Sequence, residues 1–143
     1  MKHDFTRVFV KIMEKNNGIR IDRIDEIKYI TLVRIFLTEV VQNHSMNRFD
    51  HYVSDSLIQH DIQFGQTAAD WKSYIMDHDV TNDFVFKTIG QGNFVVSYSN
   101  VLIDGTAYAQ FDLFRLEDGK IAEHWSNKEP VPARQELINS GKS

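Results

Sequence analysis

The order of elements along the 143-residue chain predicts an α+β domain, a cone-shaped, curved antiparallel sheet covered on one face by N-terminal helices. Three observations predict it. Apolar residues recur at helical spacing up to about Met76, and strand-like runs take over after Thr81. Two Asp-Gly dipeptides, Asp104-Gly105 and Asp118-Gly119, separate alternating runs, which is the strongest local signal for a β-hairpin because the turn needs the positive φ that Gly accepts freely. Hydrophobic residues make up 42% and aromatics 12%, enough to fill one core.

Phe5, Val8, Phe9, Ile12 and Met13 predict a short amphipathic helix ending at Asn16-Asn17-Gly18, within an N-terminal extension of residues 1–21. The domain itself is expected over 22–132. Ile24, Ile27, Ile30, Val33, Phe36, Leu37, Val40 and Val41 form one broad helical stripe from Asp22 to about Asn43. A short helix over Arg48 to Val53 carries Phe49 and Tyr52, and Leu57 to His60 reads as a strand. Thr67 suits the N-cap of a third helix bearing Trp71, Tyr74, Ile75 and Met76. Strands are then expected from Asp83 to Ile89 and from Phe94 to Leu102, with a turn over Gly90 to Asn93, followed by the closing hairpin. Pro130 and Pro132 end the last strand, and residues 133–143 form a tail.

Composition excludes several classes. With no cysteine there is no disulfide framework, thiolate nucleophile or cysteine zinc site. A net charge of -4 with scattered Lys and Arg gives no stripe for nucleic acid. No apolar run reaches membrane-spanning length and the N-terminus has no secretion-signal core, so a cytoplasmic protein is expected. His3, His44, His51, His60, His78 and His124 show no ligand spacing, so no metal is expected. Gly90-Gln91-Gly92 precedes no helix and is a turn, not a phosphate loop.

In the closing hairpin, a two-residue turn and strict alternation place Leu116 opposite Ile121, Phe114 opposite Glu123 and Asp112 opposite Trp125 on a buried face. Phe111, Leu113, Arg115, Ala122 and His124 fall on the other face, which puts His124 outside or at a subunit contact. Asp112 then lies among apolar groups, where a carboxylate must be satisfied, protonated or working.

The segment Phe111 to Trp125, FDLFRLEDGKIAEHW, resembles the closing hairpin of the SnoaL-like polyketide cyclases, in the nuclear-transport-factor-2-like superfamily. Leu57 to His60 (LIQH) and Val95 to Asn100 (VVSYSN) resemble the same family, so the likeness covers roughly Arg23 to Pro132. The resemblance implies a cavity between helices and sheet, no cofactor, and a homodimer paired through the sheets. On the outer sheet face, Phe111, Leu113 and Val95 are the apolar residues expected to seek that partner.

Within such a cavity Asp112 is the expected acid or base, with His60, which the family turns toward the pocket, as its catalytic partner. Tyr98 and Asn100 stand where family members often carry histidine, and as ligand contacts they can still donate hydrogen bonds to a carbonyl oxygen. Their face depends on the Asp104-Gly105 turn: two residues would move Tyr98 off the Asp112 face, and a bulge would restore it. Tyr52, Trp71, Phe114 and Trp125 are the remaining expected ligand contacts, and large aromatics serve equally as plain core. The expected function is proton transfer beside the carbonyl of a small, mostly apolar molecule, as in an aldol-type cyclisation, isomerisation or hydration. The alternatives are a non-catalytic binding domain and a dimeric interaction module on the same scaffold.

Overall fold

The computed structural model describes residues 23–132, so the helix expected over Phe5 to Met13 and the tail after Pro132 lie outside the described residues. The expected long helix runs as α1 (Arg23–Phe36) and continues through a wider π-helical turn over Leu37–Gln42, where the Asn43 N–H donates to the Thr38 carbonyl at 3.0 Å. A periodic stripe does not distinguish the two windings, because Val33, Phe36, Leu37, Val40 and Val41 suit either. After a 3-10 turn come α2 (Phe49–Tyr52), β1 (Val53–Gln59), a second 3-10 turn at Ile62–Phe64, and α3 (Ala68–Asp77). Thr67 caps α3 as expected, and Asp70 completes the reciprocal capping box.

Four strands follow as a meander: β2 (Val80–Gln91), β3 (Phe94–Ile103), β4 (Thr106–Glu117) and β5 (Lys120–Pro130). Both Asp-Gly pairs make the two-residue turns they predict, with φ of 49° and 84° at Asp104-Gly105 and 51° and 76° at Asp118-Gly119. The sheet order is β1-β5-β4-β3-β2, and only β1 departs from the antiparallel expectation, lying parallel to β5 at the edge. A parallel neighbour needs a long crossover, which α3 and β2 to β4 supply.

The main core fills the space between the helices and the inner sheet face. Phe36 sits at its centre, with ring centroids 5.5 Å from Trp71, 6.1 Å from Phe49, 6.2 Å from Tyr52 and 6.4 Å from Phe114, mostly edge-on, as aromatic quadrupoles favour. A smaller cluster of Phe94, Leu113 and Trp125, with Val96 against it, covers part of the outer face.

Two details of register correct the alternation. Leu116 pairs with Ile121 as expected, but Ala122 is then an extra residue: Arg115 faces Glu123, Phe114 faces His124, Leu113 faces Trp125 and Asp112 faces Ser126. A bulge of one residue turns every later side chain to the opposite face. His124 is therefore inside and wholly buried, and Trp125 is outside. At the outer face, Val95 points inward opposite Phe114, and Leu113 is fully covered by its own cluster. Of the three residues expected to seek a partner only Phe111 is exposed, together with Phe84, Phe86 and Ile89.

Candidate functional site

Inner-face residues of β4, two apart, bring Gln110 and Asp112 side by side, and the Gln110 amide Nε2 donates to Asp112 Oδ1 at 2.9 Å. The Ala122 bulge turns His124 inward on β5, and its Nε2 stands 2.6 Å from the same oxygen. On β1, inward Leu57 is followed two residues later by inward Gln59, whose Oε1 lies 3.0 Å from His124 Nδ1. These four side chains form one buried chain, Gln59–His124–Asp112–Gln110, with His124 at 0% and Asp112 at 3% exposure. Trp71 lies flat against the imidazole, 4.3 Å between centroids at 11°, and Phe114 takes a tilted position at 5.0 Å.

The second oxygen of the carboxylate, Asp112 Oδ2, has no hydrogen-bond partner among the described residues, and neither do Gln110 Oε1 and Asn82 Nδ2. Asp112, Gln110 and Asn82 line one small cavity, of about 20 Å³. Its apolar wall comes from Leu37 and Val41 on the π-helical turn, Phe64, Trp71 and Ile75, and from Val80, Val101 and Phe114 of the sheet. That volume suits one water-sized group. A buried polar atom without a partner costs free energy, so these two acceptors and one donor, on residues that line one cavity, are unmet polar demand beside it.

Of the expected site residues, Asp112, Phe114 and Trp71 line this cavity. His60 does not. It follows Gln59 out of the sheet, stacks on Trp125 at 4.4 Å and 3°, and its Nε2 lies 2.8 Å from Glu123 Oε2. Glu123 in turn accepts from Arg115 Nε at 2.7 Å, so His60 belongs to an outer-face charge network. Trp125 lies on that outer face too. Tyr98 and Asn100 also face outward, because the Asp104-Gly105 turn is the plain two-residue form: Tyr98 stacks on Phe111 at 4.5 Å and Asn100 donates to Asp83 at 3.2 Å. Tyr52 is core beside Phe36, its hydroxyl bonded to Glu39; burial first, and then that carboxylate, push the phenol up.

The residues that reading by alternation misses are Gln59, Asn82, Gln110 and His124. Gln110 had a signal, since it stands two positions from Asp112, which alternation assigns inward; Gln59 had none, since the expected inward turn of His60 would send its neighbour outward. His124 had none, because a bulge leaves no mark on an alternating pattern. Among the described residues no group of three His, Asp or Glu side chains could hold a metal ion, and no helix is long and apolar enough to cross a membrane.

No protein-family model and no curated protein matches the sequence. Solved structures do resemble it in three dimensions. A Kribbella flavida protein assigned as a ketosteroid isomerase superposes with a TM-score of 0.64 at 15% identity, over 79% of this chain and 89% of the other. A Bacillus cereus protein assigned as a polyketide cyclase gives 0.63 at 12% identity, over 76% and 79%. A nuclear-transport-factor-2-like protein of unknown function from Burkholderia xenovorans gives 0.63 at 13% identity, over 80% and 93%. In its described residues the chain has the nuclear-transport-factor-2-like fold that these structures share.

Proposed function

We propose that the chain is a SnoaL-like pocket protein in which Asp112, paired with His124, moves a proton beside the carbonyl of a small, mostly apolar molecule. One observation carries this reading: the buried carboxylate of Asp112, a residue that lines the cavity, spends Oδ1 on His124 and Gln110 and leaves Oδ2 without a protein partner among the described residues. That is the arrangement a general base needs, one oxygen held and the other free to meet a proton. In the step proposed, Oδ2 takes the proton from the carbon next to the carbonyl, and the electron pair of that C–H bond moves toward the carbonyl oxygen. Asn82 Nδ2 is the donor at hand for that oxygen. Returning the proton to another carbon isomerises the substrate, and attack by the enolate on a second carbonyl closes a ring. At about 20 Å³ the cavity holds one water-sized group, so the substrate enters this reading only where side chains such as Leu37, Val41 or Ile75 give way. The isomerase and cyclase names of the structural neighbours are in keeping with this chemistry.

Exchange of α-protons for deuterium in a panel of small cyclic ketones and β-dicarbonyls, followed by NMR in D2O, tests the reading without knowledge of the natural substrate. Asp112→Asn keeps the shape and should slow exchange by about 10²-fold or more, leaving ligand affinity within a few-fold. Unaltered exchange in that variant sinks the proposal. The tight cavity favours one second reading, a non-catalytic binding domain, which bound ligand with no exchange in the unmutated protein would support.

A further inference from the structure

We infer that Gln59 is a positioning residue that dictates which imidazole nitrogen of His124 carries the fixed proton, an inference that rests on the Asp112–His124 pair as the working centre. The argument begins with an amide whose two ends can be told apart. Gln59 Oε1 lies 3.0 Å from the backbone N–H of Asp61. A backbone N–H only donates, so the atom facing it must be the oxygen. The same oxygen lies 3.0 Å from His124 Nδ1, and an amide oxygen only accepts. Nδ1 must therefore carry a hydrogen.

The other nitrogen follows from this. With Nδ1–H committed to Gln59, Nε2 faces Asp112 Oδ1 at 2.6 Å in one of two states: it donates to a carboxylate as part of an imidazolium, or it accepts from a carboxylic acid. Both states place one mobile proton between Nε2 and Oδ1, and neither moves the proton on Nδ1. The arrangement is sealed, since Gln59 is 4% and His124 0% exposed. It is also braced: the Gln59 N–H donates to the Gln66 carbonyl just before α3, and the His60 N–H donates to the His124 carbonyl on β5, both at 3.0 Å. The groups facing the imidazole are Asp112 and Phe114 from β4, Gln59 from β1, Trp71 from α3 and Phe64 from the 3-10 turn, so Asp112 is its charged neighbour and Gln59 its second polar one. Without the Gln59 oxygen, His124 could turn neutral by giving up Nδ1–H, and Nε2–H would be tied to the carboxylate with no proton to accept.

The test is a long-range ¹H–¹⁵N NMR correlation on protein labelled at histidine, which reads the protonation of each ring nitrogen and does not require turnover. In the unmutated protein His124 Nδ1 should be protonated at neutral pH. In Gln59→Leu the Nδ1 proton should be lost while Nε2–H remains, and α-proton exchange should fall about tenfold in kcat with KM unchanged. Gln59→Glu keeps the length and both acceptor contacts, so it should retain Nδ1–H with a downfield-shifted proton even if the leucine variant does not fold. A bare Nδ1 in the unmutated protein, or an Nδ1–H resonance unmoved in both variants, overturns the inference. An Nδ1 proton that responds as expected, in a protein without exchange activity, upholds the role of Gln59 and rejects the proton-transfer reading alone.

Discussion

Asp112 and His124 illustrate how a buried pair differs from the sum of its members. Either side chain alone would sit at 3% exposure or less with a polar atom facing apolar rings. His124→Phe keeps a flat ring between Trp71 and Phe114 but strips Asp112 Oδ1 of its closest partner. It should destabilise the protein by about 3–5 kcal/mol at neutral pH, read as a lowered urea midpoint. The double variant Asp112→Leu, His124→Phe should recover most of that loss, because no orphaned charge remains. Equal losses in the single and double variants would show that shape, not pairing, matters there. Asp112 is legible in the sequence as a carboxylate two and four places from Phe114 and Leu116 on one face. His124 is not, since the Ala122 bulge reverses the face of all that follows and nothing in KIAEHW announces it. His60 failed for the opposite reason: the strand ends at Gln59, and the chain leaves the sheet with His60 turned to Glu123 and Trp125.

Local elements were more readable, because caps and turns are written in a few adjacent residues. The Thr67–Asp70 capping box is one such case, and Thr67→Ala should cost about 1 kcal/mol. Gly65 just before it has φ +93°, and a Cβ there would lie 2.3 Å from Asp70 Cβ, so Gly65→Ala should cost more than the cap itself. Comparing the two midpoints in urea checks the order. The same box makes stability depend on pH. The Gln66 N–H, and then Thr67, hold the Asp70 carboxyl below its ordinary value, as His78 and then the Asp79 N–H do for Asp104 beside the β3–β4 turn. A carboxyl lowered in the folded state contributes stability that is fully present above about pH 4 and is lost as pH falls through the folded value. Stability should therefore fall on acidification below about pH 4, and Asp70→Asn should flatten part of that fall. The π-helical turn at Leu37–Gln42 was not legible, as its buried residues also satisfy the ordinary helical stripe.

The architecture as a whole followed from the order of elements and the two Asp-Gly turns, but the use of the outer face did not. Phe84, Phe86 and Phe111 are 58%, 54% and 46% exposed, and Phe86, Tyr98 and Phe111 stack in a row across three strands. We propose that this row is where two copies pair, as the resemblance implies. Phe86→Asp should then leave a monomer in sedimentation equilibrium without loss of fold, and an unchanged mass for this variant and for Phe111→Asp would reject that face. Alternation could not find the patch, because Val95 and Leu113 look equally apolar and are spent inside and in the Phe94–Trp125 cluster. The edge strand carries a further consequence, for the order of assembly. β1 lies early in the chain, yet its one neighbour among the described strands is β5, the last of them, so Gln59 waits for a histidine 65 residues away. Closing that separation is slow, since the entropy of a long loop is lost before any contact repays it. During synthesis the sheet from β2 to β4 can form while β1 has no neighbouring strand, and the proton-bearing chain from Gln59 to Gln110 exists only once β5 has docked.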